Sequence, residues 1–334
     1  MSTLDPKKKV ERSRNLASGY SLSNLMQSED AVTHTVELLL DWMDKYAESR
    51  EPMDLDKFFT YTAFDVVGEV LFSKQFGFLQ QGDDIGNAIS NSLALNAYAA
   101  IGGFLQPLNL LVANPFVTWL GIMPMGHLFN TTKKAINERE KNQEARFDLV
   151  AHWFKTLAQH PERMKLRDIH AQATTNVGAG ADTVSCALQS FVYHTIRHPT
   201  AWQRIRAEID AAREQGHCAD RVVSFEDAQK LPYLQACIKE AIRVFSPVPM
   251  GLPRVAPKGG LTIGNRTFPA GTILSINPWV IHHSKEFWGP DADEFKPERW
   301  LDESAASLEK YWIPVSETLG PVSTHPRPDM YEQS

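Results

Sequence analysis

The sequence is poor in cysteine, carries no excess of positive charge, and has no long uninterrupted apolar run. Its three cysteines, Cys186, Cys218 and Cys237, have no paired spacing, which excludes a disulfide framework or a zinc site and makes a reducing compartment the expectation. Lys and Arg number 34 against 40 Asp and Glu, a net charge of -6, so the basic footprint of a nucleic-acid binder is missing. The stretch Ile85 to Thr132 lacks Asp, Glu, Lys and Arg, but Asn96, Asn109, Asn114, Pro107, Pro115 and Pro124 interrupt it before about 18 apolar residues accumulate. We expect buried or membrane-touching helices and loops there, not a span. Met1 to Arg14 is polar and basic and reads as neither a signal peptide nor an anchor, so a cytoplasmic chain is expected from the sequence as written.

What is present is mostly helical patterning, and the 43% of hydrophobic residues suffices for a sizeable core. Val36, Leu39, Leu40 and Met43 repeat at three-four spacing within Val32 to Tyr46. Leu55 to Phe72 follows Asp54, a plausible cap. Asn130 to Leu157 predicts one long helix or two, with a break at His160-Pro161. Leu166 to His198 is the longest uninterrupted pattern. Pro199 suits the first turn of the next helix, which should place Trp202, Ile205 and Ile209 on one face. From Pro247 the texture becomes extended, and Gly264-Asn265 reads as a hairpin turn. The fold class predicted is mainly α with a small β region. Val315 to Ser334 is proline-bearing and aperiodic, and reads as an unrelated, disordered tail beyond a domain spanning 1–314.

Three short segments carry candidate chemistry. Ala179-Gly180-Ala181-Asp182-Thr183 lies inside the long helix. Gly178 and Gly180 there cost about 1 kcal/mol each relative to Ala, which suits either close helix packing or a local opening over a cofactor. Glu240 and Arg243 share a helix face at i, i+3. They form either an exposed ion pair worth less than about 1 kcal/mol or a buried pair joined by Arg299 of Pro297-Glu298-Arg299-Trp300. Breaking a buried pair costs about 3–5 kcal/mol. Arg254 by itself reads as a solvated loop charge.

Taken together, these segments resemble the cytochrome P450 family. Leu231 to Arg243 resembles its K helix, Phe287 to Trp300 resembles its meander approach, and Phe64 to Phe72 is similar to the E helix of the fungal pisatin-demethylase-like group. The resemblance covers roughly Asp5 to Pro314 and implies an incomplete cytochrome P450 fold. It implies a heme cofactor, with Asp182 relaying protons for O–O cleavage and Thr183 donating a hydrogen bond to oxygen at the iron. Glu240, Arg243 and Arg299 would form a structural triad, and Arg254 would pair with a heme propionate, with Arg12 and Arg14 as further cations near it. Electrons would come from NADPH through NADPH-cytochrome P450 reductase. The substrate would be a small apolar secondary metabolite, and Ile85 to Thr132 would roof it and touch the membrane peripherally. Family members usually sit at the endoplasmic reticulum.

Two departures from the family pattern stand out. The match begins at a segment resembling the C helix, without the family's anchor and first strands, and Lys9 and Ser13 stand where a propionate-holding pair is often found. The second is the absence of a Phe-x-x-Gly-x-x-x-Cys-x-Gly loop after Pro314, with none of the three cysteines placed to be the axial thiolate that favours O–O cleavage. A retained intron or frameshift after Pro314 is the expectation. Two functions therefore stand: a monooxygenase acting on an apolar metabolite, or a non-catalytic truncated remnant. The second is favoured for the chain as written.

Overall fold

The computed structural model describes residues 6–104, 125–142 and 146–314. Residues 105–124 of the uncharged stretch, and all of Val315 to Ser334, lie outside the described residues. We label the longer helices α1 (Pro6–Ala17), α2 (Glu29–Ser49), α3 (Leu55–Phe72), α4 (Ala88–Phe104), α5 (Met125–Lys141), α6 (Leu149–Gln159), α7 (Leu166–Arg197), α8 (Pro199–Glu214) and α9 (Pro232–Val244). The short strands are β1 (Arg254–Val255), β2 (Leu261–Ile263), β3 (Arg266–Phe268) and β4 (Ile273–Leu274). The chain divides into two compact units: residues through Ser185 with Asp220–Phe225, and Cys186–Ala219 with the residues from Glu226.

The first unit is built around α3. Its sequence is apolar nearly all round, the signature of a helix buried on every side, and eleven of its residues are buried. Asp54 caps it, its carboxylate accepting from the Lys57 amide at 3.3 Å, a contact worth about 1 kcal/mol. An aromatic seam runs from Trp42 of α2 through Phe58, Tyr61 and Phe78, with successive ring centroids 5.1 to 5.8 Å apart. Asp65 is fully buried, and its carboxylate accepts from the amides of Gly77, Phe78 and Leu79 at 2.8, 3.3 and 2.9 Å. It thereby fixes the turn leaving α3. Burial pushes its carboxyl above the usual range.

The pattern of Asn130 to Leu157 resolves into two helices, α5 and α6. Asp148 caps α6 through the Ala151 amide at 2.7 Å and holds Arg139 of α5 at 2.5 Å, both side chains buried. Arg221 ties Asp220–Phe225 to α2 through Asp41 and Asp44 at 2.7 and 2.6 Å.

In the second unit, α8 opens with Pro199 in its first turn. Ala201 and Ile205 of α8, together with Tyr233, Cys237 and Ala241 of α9 and Phe295, form one buried cluster. The predicted apolar face of α8 needs correcting at one end: Trp202 is 44% exposed, and Ala201 is buried instead. The other side of α9 offers Ala236 to Trp288, Ala292, Trp300 and Leu308. The β region consists of two small antiparallel pairs. β1 faces β4 with Arg254 opposite Leu274, and β2 turns into β3 at Gly264-Asn265, with Ile263 opposite Arg266. Gly264 has φ +56, as such a two-residue turn requires.

Candidate functional site

The most thoroughly built polar site lies in the second unit. Glu240 and Arg243 are both fully buried and Arg299 is 6% exposed. The Glu240 carboxylate accepts five hydrogen bonds. At Oε1 the donors are Arg243 Nη2 (2.8 Å), Arg299 Nε (2.9 Å) and the Lys296 amide (3.0 Å); at Oε2 they are Arg243 Nε and Trp300 Nε1, both at 2.9 Å. Arg243 also donates to the carbonyls of His282, Ala292 and Glu294 at 2.6, 2.6 and 2.9 Å. Arg299 reaches the carbonyls of Trp288 and Asp291 at 3.2 and 3.1 Å. One carboxylate and two guanidiniums thus bind α9 to the 282–300 segment. Burial at this depth stabilises only when every partner is satisfied. These contacts are structural: the carboxylate and both guanidiniums are spent on holding the chain together.

His282 completes this region. It is fully buried, and its Nε2 accepts from the Ile313 amide at 3.0 Å. Burial, and then the nearby Arg243 charge, depress its pKa to about 4. The ring is therefore neutral at pH 7, with its proton on Nδ1.

In the first unit, α7 runs unbroken through Gly178 and Gly180. A Cβ at Gly180 would lie 3.0 Å from Val67 Cγ2, so the glycine there serves close packing of α7 on α3, and the helix is not opened at this point. Thr183 donates its hydroxyl proton to the Ala179 carbonyl at 2.9 Å. Asp182 turns to α4, where its Oδ2 accepts from Ser92 Oγ at 2.7 Å and Asn96 Nδ2 at 2.6 Å. The reading of the sequence missed both partners. Their i, i+4 spacing, which places two polar side chains on one face of the helix, was the available signal.

The remaining candidates are placed one by one. Arg12 Nε lies 3.9 Å from Asp168, and Arg14 is exposed. Arg254 is exposed in β1 and donates to the Pro253 carbonyl at 3.1 Å. The three cysteines are free. Burial raises the thiol pKa of all three, that of Cys237 to about 12. Cys237 is sealed in the α8–α9 cluster. Cys218 is buried in a turn beside Asp227, whose charge also opposes a thiolate. Cys186 has no cation among the groups that shift it.

The cytochrome P450 family model matches residues 2–316. Over 315 residues the chain is 33% identical to cytochrome P450 monooxygenase hepC of Aspergillus oryzae, covering 90% of this chain and 61% of that protein. It is 31% identical over 308 residues to cytochrome P450 monooxygenase cicH of Emericella nidulans (86% and 59% covered). Pisatin demethylase of Fusarium vanettenii is 29% identical over 303 residues (86% and 56%). The chain belongs to the cytochrome P450 family. It spans about three fifths of the length of the relatives it matches. The family implies a heme, which family members hold through a cysteine thiolate. Of the thiols present, Cys237 is sealed in the α8–α9 cluster and Cys218 is buried in a turn, so neither faces an open position that would take the iron of that group.

Proposed function

We propose that this chain supplies the core and the oxygen-side helix of a cytochrome P450 monooxygenase that oxidises a small apolar secondary metabolite. NADPH would provide the electrons through NADPH-cytochrome P450 reductase, at the endoplasmic-reticulum surface. The observation that carries the reading is the buried Glu240–Arg243–Arg299 network, built on the same segments whose sequence follows the family. Asp182, poised by Ser92 and Asn96, is the proton-carrying group in this reading. Thr183 is the hydroxyl beside it, and Arg12, Arg14 and Arg254 are the cations available to a carboxylate-bearing cofactor. Among the described residues no helix is long and apolar enough to cross a membrane, so the membrane contact proposed is peripheral.

A second reading concerns these residues acting alone. In it, Cys218 and Cys237 stay buried in packed surroundings, none of the three cysteines serves as an axial ligand, and the polypeptide acts as a non-catalytic member of the family. Grafting tests both readings. Residues 1–314 are joined to the cysteine-bearing segment of the Aspergillus oryzae relative, and NADPH oxidation and substrate turnover are measured with reductase. The graft should gain a thiolate-type heme spectrum and turnover, and Asp182→Asn should lower turnover without altering the spectrum. A graft that folds and binds heme, yet keeps its full turnover after the Asp182→Asn substitution, contradicts the role given to Asp182.

A further inference from the structure

The first unit contains a cavity of about 280 Å³ between α3, the turn after it, α4, α5 and α7. Neither Asp182 nor Thr183 lines it. Its wall is aromatic, formed by Phe64, Phe72, Phe76 and Phe78. The rings of Phe64 and Phe78 lie 5.1 Å apart, and those of Phe72 and Phe76 lie 6.0 Å apart. The wall is fixed in place: Asp65 grips the amides of Gly77, Phe78 and Leu79. A Cβ at Gly68 would come within 2.5 Å of the Lys74 carbonyl and 3.1 Å of the Phe76 ring, so the turn seats against α3 only because position 68 has no side chain.

The open side of the cavity is charged. Lys74, Lys134 and Glu138 line it and are exposed. Lys74 Nζ lies 2.9 Å from Glu138 Oε2, which leaves the rim with one ammonium in excess. We propose that this cavity binds a small planar aromatic carboxylate, with its rings against the four phenylalanines and its carboxylate at Lys134. Size selects the class: an apolar cavity of about 150 Å³ accommodates benzene, so this one takes two fused rings. Aromatic walls favour flat rings in offset or edge contact, and the excess positive charge favours an anion.

The test titrates 2-naphthoate into the full-length chain by calorimetry, alongside the uncharged 2-naphthylmethanol. Saturable binding of naphthoate is expected, weakened about two- to fivefold by Lys134→Gln. Ala88→Phe and Ala135→Leu, both at lining positions, should each weaken it at least about tenfold while melting as the parent does. A diazirine-bearing naphthoate, used on the unaltered chain, should label peptides spanning Phe64–Phe78 or Thr131–Glu138. Absence of binding, labelling elsewhere, or undiminished binding in a folded cavity-filling variant overturns the site. Equal affinity for the uncharged analogue overturns the carboxylate class.

Discussion

Replacing Glu240 by Gln removes one negative charge and almost no volume. The amide retains one oxygen, which can still accept from the Lys296 amide and Arg299. Its NH2 group must then face Arg243 Nε and Trp300 Nε1, both donors now 2.9 Å from the carboxylate. Arg243 loses its counter-charge and Arg299 keeps only the Asp291 carboxylate, 3.6 Å from its Nη2; such a broken buried pair costs about 3–5 kcal/mol. Domains of ordinary stability have about 5–15 kcal/mol in total, so the second unit should be near its limit. With a urea slope of about 3 kcal/mol per molar, the unfolding midpoint should fall by about 1–2 M. Because two units need not unfold together, the assay is hydrogen exchange in urea, read on peptides from α9 and from the 296–300 turn. Pairing Glu240→Gln with Arg299→Met should give a coupling energy above about 1 kcal/mol, as contacting residues do. A loss under about 1 kcal/mol for Glu240→Gln, the value of a surface ion pair, would refute the argument.

Acid should loosen the second unit through His282. Its folded pKa of about 4 lies below the unfolded value of about 6.5, so the unfolded chain binds the extra proton between these limits. Stability worth about 3 kcal/mol is fully present above pH 6.5 and is lost as pH falls through 4; His282→Gln should flatten this slope in urea midpoints taken from pH 7 to pH 4.5. Gly68→Ala should cost about 1–3 kcal/mol by overpacking against the Lys74 carbonyl, and thermal melts report it. Ser92→Ala with Asn96→Ala removes both α4 donors from Asp182. It should cost about 1.5–3 kcal/mol per charge-assisted bond and speed amide exchange in α4, whereas unchanged exchange would mean the contacts carry no weight.

Much of the fold was legible because its local signals agreed with its packing. Pro199, Asp54 and Gly264-Asn265 punctuate the chain where the elements begin and turn, and α3 is apolar enough to be read as core. The trio of Glu240, Arg243 and Arg299 could be suspected from the i, i+3 spacing and the Pro-Glu-Arg-Trp segment. Its fourth donor, the Trp300 indole, could not, because periodicity says nothing about which distant ring closes on a carboxylate. Helical periodicity placed Trp202 with Ile205 and Ile209, yet Ala201 takes the buried position in the α8–α9 cluster and Trp202 is 44% exposed. The glycines of α7 permitted two readings. Only the 3.0 Å approach to Val67 decides for packing at Gly180. Asp65 gave no signal, since a buried carboxylate on an apolar helix is explained only by three amides from a turn twelve to fourteen residues later.

The family scaffold is present here, and we propose that none of Cys186, Cys218 and Cys237 gives a heme its thiolate. The most direct measurement is the reduced carbon monoxide difference spectrum of the chain after titration with hemin. The expected result is no long-wavelength thiolate Soret band, and no spectral change on Cys186→Ser, Cys218→Ser or Cys237→Ser. A thiolate band that disappears with any one of these substitutions would contradict it.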